Sequence, residues 1–179
     1  MVMVTTQGMT CFFEASSPLS NWHPARFTCR GIEFGNAEQF MMYCKAKLFN
    51  DHKTAEKILR ATTPREQKAL GRQVRNFDER LWSEKCEGYV RTGCLEKFRQ
   101  NPALAKVLLD TGATELVEAS PYDKIWGVGL SANDPRIQDR SQWRGQNRLG
   151  KVLMQVRETL VQEIGKHTSE LQSPYDLVC

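Results

Sequence analysis

The chain has 179 residues, of which 40% are hydrophobic, and its 25 basic and 21 acidic side chains give a formal net charge of +4. One domain of roughly 100–200 residues accounts for this length, and the composition excludes a disordered chain. The small positive charge is compatible with an anionic ligand, although it does not require one.

The N-terminal part of the chain predicts short strands followed by a helix. Cys11-Phe12-Phe13 has the character of a short strand, residues 16–24 form a turn rich in Ser, Pro and Asn, and residues 27–34 predict a hairpin. Asn36 is typical of a helix N-cap, because its side chain accepts a hydrogen bond from an N–H group of the first turn. A helix is therefore expected from Ala37 to about Phe49.

Four further helices are predicted from their first residues and their apolar spacing. Each follows a residue or motif that favours a helix start: Asp51, the capping box Thr63-Pro64-Arg65-Glu66, Asp78 and Asn101-Pro102. The first of them is expected to reach Arg60 and the last to reach Leu109, with Gly112 as a stop signal. The expected core contains Leu81, Trp82, Phe98, Leu108, Leu153 and Val156.

The C-terminal part predicts a short strand at residues 115–118 and a final helix over residues 146–164. Between them, residues 120–145 show no sustained periodicity, and connections of this length are usually functional or disordered. This segment carries Tyr122, Trp126 and Trp143. Because disordered segments are poor in aromatic residues, the functional interpretation is favoured.

Together these elements predict an α+β fold, a compact single domain that is mostly helical with a few short strands. The domain is expected to span residues 1–165, and residues 166–179 form a polar C-terminal tail. The six cysteines contain no CxxC pair and the three histidines lie far apart, so neither a disulfide framework nor a metal site is expected. Without a long apolar run or a secretory signal, no membrane association and a cytoplasmic location are expected.

Glu38 and Lys45 are the first candidate pair for chemistry. They lie two turns apart on the predicted helix and therefore project from the same face, with Met41 and Met42 between them. Two solvated charges are the ordinary interpretation of such a pair. The apolar neighbours favour a second interpretation, in which burial alters the ionisation of a functional glutamate and lysine.

Three other segments combine aromatic, amide and charged side chains. Residues 21–24 (Asn-Trp-His-Pro) form either an Asx-turn or a turn that contacts a base. Residues 121–129 offer a carboxylate, two aromatic rings and a Gly-x-Gly, but the strand-then-helix context of a dinucleotide fingerprint is absent, so a Rossmann fold is excluded. Residues 143–150 open the last helix with two arginines, which indicates either a solvated helix start or a phosphate site.

In their order along the chain, four segments resemble the conserved blocks of the NADAR superfamily, which includes the YbiA-like proteins. The segments are LSNWHP at 19–24, EQFMMYCKA at 38–46, PYDKIWGVG at 121–129 and GQNRLGKVLMQVR at 145–157. The resemblance spans about residues 11–160, and its last block is the most specific. Residues 130–144 depart from it, because this segment is longer than in bacterial YbiA-like members.

The resemblance implies an N-glycosidase. Some members of the superfamily are similar to an enzyme that cleaves a ribosylaminopyrimidinone phosphate intermediate of riboflavin biosynthesis. Others resemble hydrolases that remove ADP-ribose from the guanine amino group in DNA or RNA. We expect the second substrate, because the inserted segment 130–144, with its Trp143, points to a ligand larger than a monophosphate. A non-catalytic module that binds ADP-ribose or NAD is the alternative of another class.

The resemblance also implies catalytic roles, which remain open between two mechanisms. Lys45, at the family's lysine position, is the candidate nucleophile for a Schiff base, and Glu38 would shuttle protons or stabilise positive charge at C1 of the ribose. In the alternative, Glu38 or Asp123 stabilises an oxocarbenium-like ion while water attacks. A nearby carboxylate raises the pKa of a lysine, so the first mechanism requires either that Glu38 is itself protonated or that Glu38 holds the substrate and not Lys45.

The remaining candidate residues would bind the ligand. Asp123 is also placed to accept hydrogen bonds from a guanine edge, and Trp22 or Trp126 would stack on the ring. Beside them, Asn21 belongs to the turn that contacts the base, and Gly127 lets the backbone approach phosphate. Asn147 and Arg148 would hold phosphate at the start of the last helix. No metal and no cofactor are expected, and the partner is an ADP-ribosylated guanine or a small ribose phosphate.

Overall fold

The structure, a computed structural model, describes residues 3–6 and 8–171. Within these residues six α-helices, five β-strands and two short 3-10 helices follow one another, which confirms the α+β class. In chain order they are β1 (Met3–Thr6), β2 (Met9–Phe12), β3 (Phe27–Cys29), β4 (Ile32–Phe34), α1 (Ala37–Leu48), α2 (His52–Arg60), α3 (Pro64–Gly71), α4 (Glu79–Gln100), α5 (Pro102–Asp110), β5 (Glu115–Glu118), the 3-10 helices Pro135–Gln138 and Arg140–Gln142, and α6 (Arg148–Leu171).

The principal sheet has the strand order β1-β2-β5. Strand β2 is buried along its whole length and pairs antiparallel with β1 and in parallel with β5. The parallel register pairs Phe12 with Glu118. Because parallel strands end at the same edge, the segments that follow β2 and β5 leave the sheet side by side. Strands β3 and β4 form the predicted hairpin.

Side-chain caps explain why the helices begin where the sequence predicts. Asn36 Oδ1 accepts a hydrogen bond from Gln39 N at 2.8 Å at the start of α1. The same arrangement opens α2, α3 and α4, where the capping side chains are Asp51, Thr63 and Asp78. Helix α5 differs: the Asn101 side chain donates to Arg26 O and Lys97 O instead of capping the helix.

Both ends of α6 and of β2 differ from the prediction, and one strand was missed. Asn147 has a φ of 52°, a left-handed conformation, so α6 begins at Arg148 and not at residue 146. The helix then continues past residue 164 to Leu171. The missed strand is β1, whose four residues, Met-Val-Thr-Thr, are too short for a periodic pattern and pair antiparallel with β2. Residues 172–179 of the predicted tail lie outside the described residues, and the domain boundary at residue 165 stays a prediction.

The predicted core is confirmed. Phe98, Leu108, Leu153 and Val156 are buried in the main hydrophobic cluster, and Leu81 and Trp82 pack against it. A second cluster lies against β5, and it includes Leu130 and Ile137, with Trp143 packed on it. The aromatic side chain of segment 130–144 therefore has a structural role. None of the helices within the described residues is both long and apolar enough to cross a membrane.

Two glycines of α6 provide a test of how closely this helix packs on the sheet. A Cβ atom at Gly150 would overlap the backbone oxygen of Leu116 in β5, whereas a Cβ at Gly165 meets no atom within 4 Å. We expect Gly150→Ala to lower the free energy of unfolding by about 1–3 kcal/mol through overpacking. Gly165→Ala, the matched control, should raise it by roughly 0.5–1 kcal/mol, because alanine loses less backbone entropy in a helix.

Urea denaturation of both variants checks this prediction. Equal stability of the Gly150→Ala protein and the wild type would contradict the close contact between α6 and β5.

Candidate active site

A cavity of about 900 Å³ opens where the segments following β2 and β5 face helices α1 and α3. Phe13, the first residue after β2, and Glu118, the last residue of β5, both line it. The parallel register of these two strands is therefore what brings the two segments to one site. The volume lies near the upper end of the range of roughly 300–1,000 Å³ that small-molecule sites span.

Glu38 lies on the α1 wall of this cavity and is only 4% exposed. Its Oε1 atom is inaccessible and has no hydrogen-bond partner among the described residues. Burial is the main cause that raises the pKa of Glu38 to about 7; the charge of Lys68 opposes this rise and the charge of Asp123 adds to it. The Trp22 indole also lies close enough to lower this pKa. At neutral pH Glu38 is therefore balanced between its acid and base forms.

Lys45 lines the same wall two turns further along α1, as predicted. Its ammonium nitrogen lies 4.3 Å from the ring centroid of Phe77 and 5.8 Å from that of Trp82. Among the described residues it makes neither a hydrogen bond nor an ion pair within 4 Å, so cation–π contacts are what holds it. Burial lowers the pKa of Lys45, against the opposing charge of Glu38. Both pKa shifts have the direction that the second interpretation of this pair requires, and the functional roles of Glu38 and Lys45 stay predictions.

Glu118 and Asp123 form the wall on the β5 side. Burial, together with the charges of Asp123 and Glu38, raises the pKa of Glu118 to about 8 against the opposing charge of Lys68. Its Oε2 atom is inaccessible and lacks a hydrogen-bond partner among the described residues. Asp123 Oδ1 accepts from Ile125 N and Trp126 N, each at 2.8 Å. These two bonds fix the direction in which the Asp123 carboxylate faces the cavity.

Asn21 and Trp22 reach the cavity from the turn before β3. The turn is held by Lys97, a fully buried side chain whose ammonium group donates to Pro18 O at 2.7 Å and Ser20 O at 2.9 Å. Asn21 Oδ1 accepts a hydrogen bond from the thiol of Cys94. These bonds keep Trp22 beside Glu38. Lys68 of α3 lies over the Trp22 ring, 5.9 Å from its centroid.

Four of the predicted ligand-binding residues follow Asp123 in the chain: Trp126, Gly127, Asn147 and Arg148. Of these four, Trp126 alone lines the cavity. Arg148 stacks on Trp126 with its guanidinium carbon 5.6 Å from the ring centroid, and its donors are engaged by Glu87 and Ser83. Asn147 is buried and bonds to β5. Gly127 packs tightly between backbone atoms. These last three residues support the wall from behind, and their predicted contact with a ligand stays a prediction.

The sequence analysis missed Glu118, Lys68 and Arg72, all of which line the cavity. Glu118 had one available signal: it is a carboxylate at the carboxyl end of a predicted strand. No pattern in the sequence indicates that α3 faces the same cavity. Segment 130–144 contributes no lining residue, so its aromatic content is no argument for a large ligand. Within residues 3–6 and 8–171, no group of three or more His, Cys, Asp and Glu side chains is arranged to hold a metal ion.

Comparison with known proteins agrees with this fold. A sequence model of the NADAR domain matches residues 11–161. Protein irg-1 of Caenorhabditis elegans is 42% identical over 171 residues, covering 87% of this chain and 81% of that protein. N-glycosidase R617 of Acanthamoeba polyphaga mimivirus is 45% identical over 144 residues, covering 78% of this chain and 85% of that protein.

Two further similarities concern a longer protein and a solved structure. Riboflavin biosynthesis protein VVA0006 of Vibrio vulnificus is 34% identical over 160 residues, which are 89% of this chain but 37% of that protein. The NMR structure of the Escherichia coli protein YbiA superimposes with a TM-score of 0.72 at 27% identity, covering 89% of each chain. The fold is therefore shared with YbiA.

The burial of Glu38 predicts a pH dependence of stability. Folding raises the carboxyl pKa from 4.5 to about 7, so the folded state holds the proton more tightly than the unfolded state. The stability that Glu38 contributes is complete below the unfolded pKa and is lost as the pH rises through the folded pKa. Between about pH 5 and about pH 8.5 this loss is on the order of 2–3 kcal/mol.

We therefore expect Glu38→Gln to lose less stability than the wild type over this pH interval. Urea denaturation at both pH values measures the difference, and Glu33→Gln, at an exposed position on β4, is the matched control. Parallel pH profiles of the wild type and Glu38→Gln would contradict the assigned burial of this carboxyl group.

Proposed function

This chain belongs to the NADAR family, and on that premise we propose that it is an N-glycosidase that releases ADP-ribose from the amino group of guanine in DNA or RNA. Water is the co-substrate. The bond between ribose C1 and the exocyclic nitrogen breaks, the base leaves with a complete amino group, and C1 receives a hydroxyl group. The viral relative that carries the name N-glycosidase supports the class of reaction.

The observation that carries the proposal is the shared placement of Glu38 and Lys45. Both line one cavity from the same helix face, and burial moves both pKa values towards neutrality. A module that only binds needs contacts for phosphate and ring but no such pair. A carboxyl group that exchanges its proton near neutral pH, in one cavity with a lysine of lowered pKa, supports acid–base and nucleophilic chemistry.

A ribose bound through an exocyclic amine offers a route that ordinary nucleosides lack. The C1–O4 bond opens, the amine lone pair forms a C1=N bond, and O4 takes up a proton. Neutral Lys45 attacks C1, forming a C1–Nζ bond while the C1=N electrons return to the base nitrogen. Glu38 removes a proton from Nζ, the base nitrogen takes up a proton, and the base departs as the Nζ lone pair forms an iminium with C1.

Hydrolysis then reverses the attachment of Lys45. Water adds to C1 and loses a proton to a carboxylate of the cavity. Nζ takes up a proton, the C1–Nζ bond breaks as the aldehyde forms, and ring closure returns the proton that O4 had gained. The sum is one water molecule consumed, with the lysine and the carboxyl groups restored.

The cavity also offers contacts for both ends of such a substrate. The Asp123 carboxylate is a suitable acceptor for the N–H groups of a guanine edge, with Trp22 or Trp126 as the stacking surface. Lys68 and Arg72 are the cations of the α3 wall. We assign the phosphates to them, because the donors of Arg148 are already engaged by Glu87 and Ser83.

A ribosylaminopyrimidinone phosphate is the second candidate substrate. The similarity to a riboflavin biosynthesis protein over 89% of this chain favours it. Both substrates join ribose to an exocyclic amine, so the roles of Glu38 and Lys45 are unchanged. The volume of about 900 Å³ favours the larger ADP-ribosyl group.

An oligonucleotide that carries ADP-ribose on one guanine provides the direct test. We expect the wild type to restore the unmodified oligonucleotide, and Glu38→Ala and Lys45→Ala to lower the rate by about 100-fold or more. Gel mobility and mass spectrometry measure the release of ADP-ribose. The matched control is Lys47→Ala, an exposed lysine of the same helix that should retain full activity.

The outcomes separate the candidates. A wild type that is inactive on this oligonucleotide but cleaves the ribosylaminopyrimidinone phosphate moves the substrate to the riboflavin-type intermediate. A wild type that is inactive on both but binds ADP-ribose is a binding module, which overturns the proposal.

The covalent route has its own test. Reduction with borohydride during turnover should fix the iminium as a stable secondary amine, and peptide mass spectrometry should locate the added mass on Lys45. Lys45→Ala should give no adduct, while Lys47→Ala should give the wild-type yield. An active enzyme without any adduct means that water attacks C1 directly, with Glu38 or Asp123 stabilising the positive charge.

A further inference from the structure

We propose that Glu118 is a catalytic residue of this site, the general acid that gives its proton to the departing base nitrogen. The inference rests on the proposed N-glycosidase function and assigns a step that the function leaves open. It applies to attack by Lys45 and to direct attack by water, because in both cases the base nitrogen must take up a proton.

The backbone of Glu118 is fixed on both sides. Its N–H donates to Asn147 Oδ1 at 3.0 Å, and its carbonyl accepts from Val128 N at 3.0 Å. Asn147 Nδ2 in turn donates to Leu116 O at 2.9 Å, which locks that side chain to β5. These hydrogen bonds hold the Cα position of Glu118 at the end of the strand. A proton donor needs such a fixed position to meet its acceptor in the right geometry.

The carboxyl group of Glu118 faces the cavity, and one of its two oxygen atoms, Oε2, is buried without a hydrogen-bond partner among the described residues. Burying an unpaired polar atom costs about 1–3 kcal/mol, so such atoms are rare and call for a reason. Glu38 Oε1 is in the same condition across the cavity. Because these two atoms are inaccessible, a substrate placed between the two walls would bond to the other oxygen of each carboxyl group.

The charges around Glu118 favour its protonated form. Glu38 from α1 and Asp123 from the loop after β5 both oppose its ionisation, and Lys68 from α3 partly offsets them. The other charged side chains that line the cavity are Lys45 on α1, Arg72 after α3, Glu14 after β2 and Lys124 beside Asp123. Burial is the largest cause of the raised pKa of about 8. Glu118 therefore retains its proton at neutral pH.

The proton balance closes over one turnover. Glu118 donates its proton as the C1–N bond breaks, so the base leaves as a neutral amine and Glu118 becomes a carboxylate. The water that then attacks C1 returns a proton to Glu118. Glu38 exchanges a proton with Nζ of Lys45 during the same cycle. Glu38 on the α1 wall thus exchanges protons with the lysine nitrogen, and Glu118 on the β5 wall exchanges them with the base nitrogen and with water.

Glu118→Gln tests the assignment, because it keeps the shape of the side chain and removes the transferable proton. We expect kcat on the ADP-ribosylated oligonucleotide to fall by about 10²–10⁴-fold with KM nearly unchanged. The wild type should lose activity as the pH rises through about 8. The residual activity of Glu118→Gln should lack this alkaline decline. Glu115→Gln, in the same strand but paired with Arg140, is the matched control and should behave as the wild type.

A second variant separates chemistry from folding. Glu118→Asp keeps an acid on a shorter side chain, and it should recover part of the rate together with the alkaline decline. Thermal unfolding of every variant is measured in parallel. A folded Glu118→Gln protein with wild-type kcat, or with the alkaline decline intact, overturns the assignment. A wild type inactive on both candidate substrates overturns the proposed function itself, which is a distinct result.

Discussion

Parallel pairing between β2 and β5 is the constraint on which the site depends. The two strands are separated by the hairpin and five helices, and their register places Phe12 opposite Glu118. The chain segments that leave them must then share one edge of the sheet, and helices α1 and α3 close the space in front of that edge. Helix α6 secures the arrangement from behind, because Asn147 bonds to β5 and Gly150 allows the helix to touch it.

Local sequence features were sufficient to predict where helices α1–α5 begin, but they were not sufficient to predict which residues meet in the site. Caps such as Asn36 and Asp78 act within one turn, so the residues that cause a helix to begin lie next to it in sequence. The pair Glu38 and Lys45 was recognisable for the same reason, since one helix carries both. Glu118 and Lys68 meet this pair only through tertiary structure, and no periodicity in the sequence encodes that meeting.

The last sequence block illustrates a different limit. An amide and a guanidinium group at a helix start have the chemistry of a phosphate site, and nothing in their sequence distinguishes binding from support. In the structure Asn147 bonds to the backbone of β5, and Arg148 joins Glu87 to the Trp126 ring. The side-chain donors that could bind a phosphate bond to other residues of the protein instead. Sequence alone therefore cannot distinguish ligand binding from structural support at these positions. The preference for a large ligand likewise depends on the cavity and not on segment 130–144.

Burial of the cavity walls gives the pKa shifts of Lys45, Glu38 and Glu118 one physical origin. In water a lysine and a glutamate would be an ammonium and a carboxylate at neutral pH, and neither would be reactive as nucleophile or acid. Desolvation disfavours both charged forms, so it lowers the pKa of Lys45 and raises those of Glu38 and Glu118. The same exclusion of water therefore favours the neutral form of Lys45 and the protonated form of Glu118. Substrate that fills the cavity would exclude more water and shift the equilibria of Lys45 and Glu118 further in the same direction, so that their neutral forms are favoured most in the bound complex.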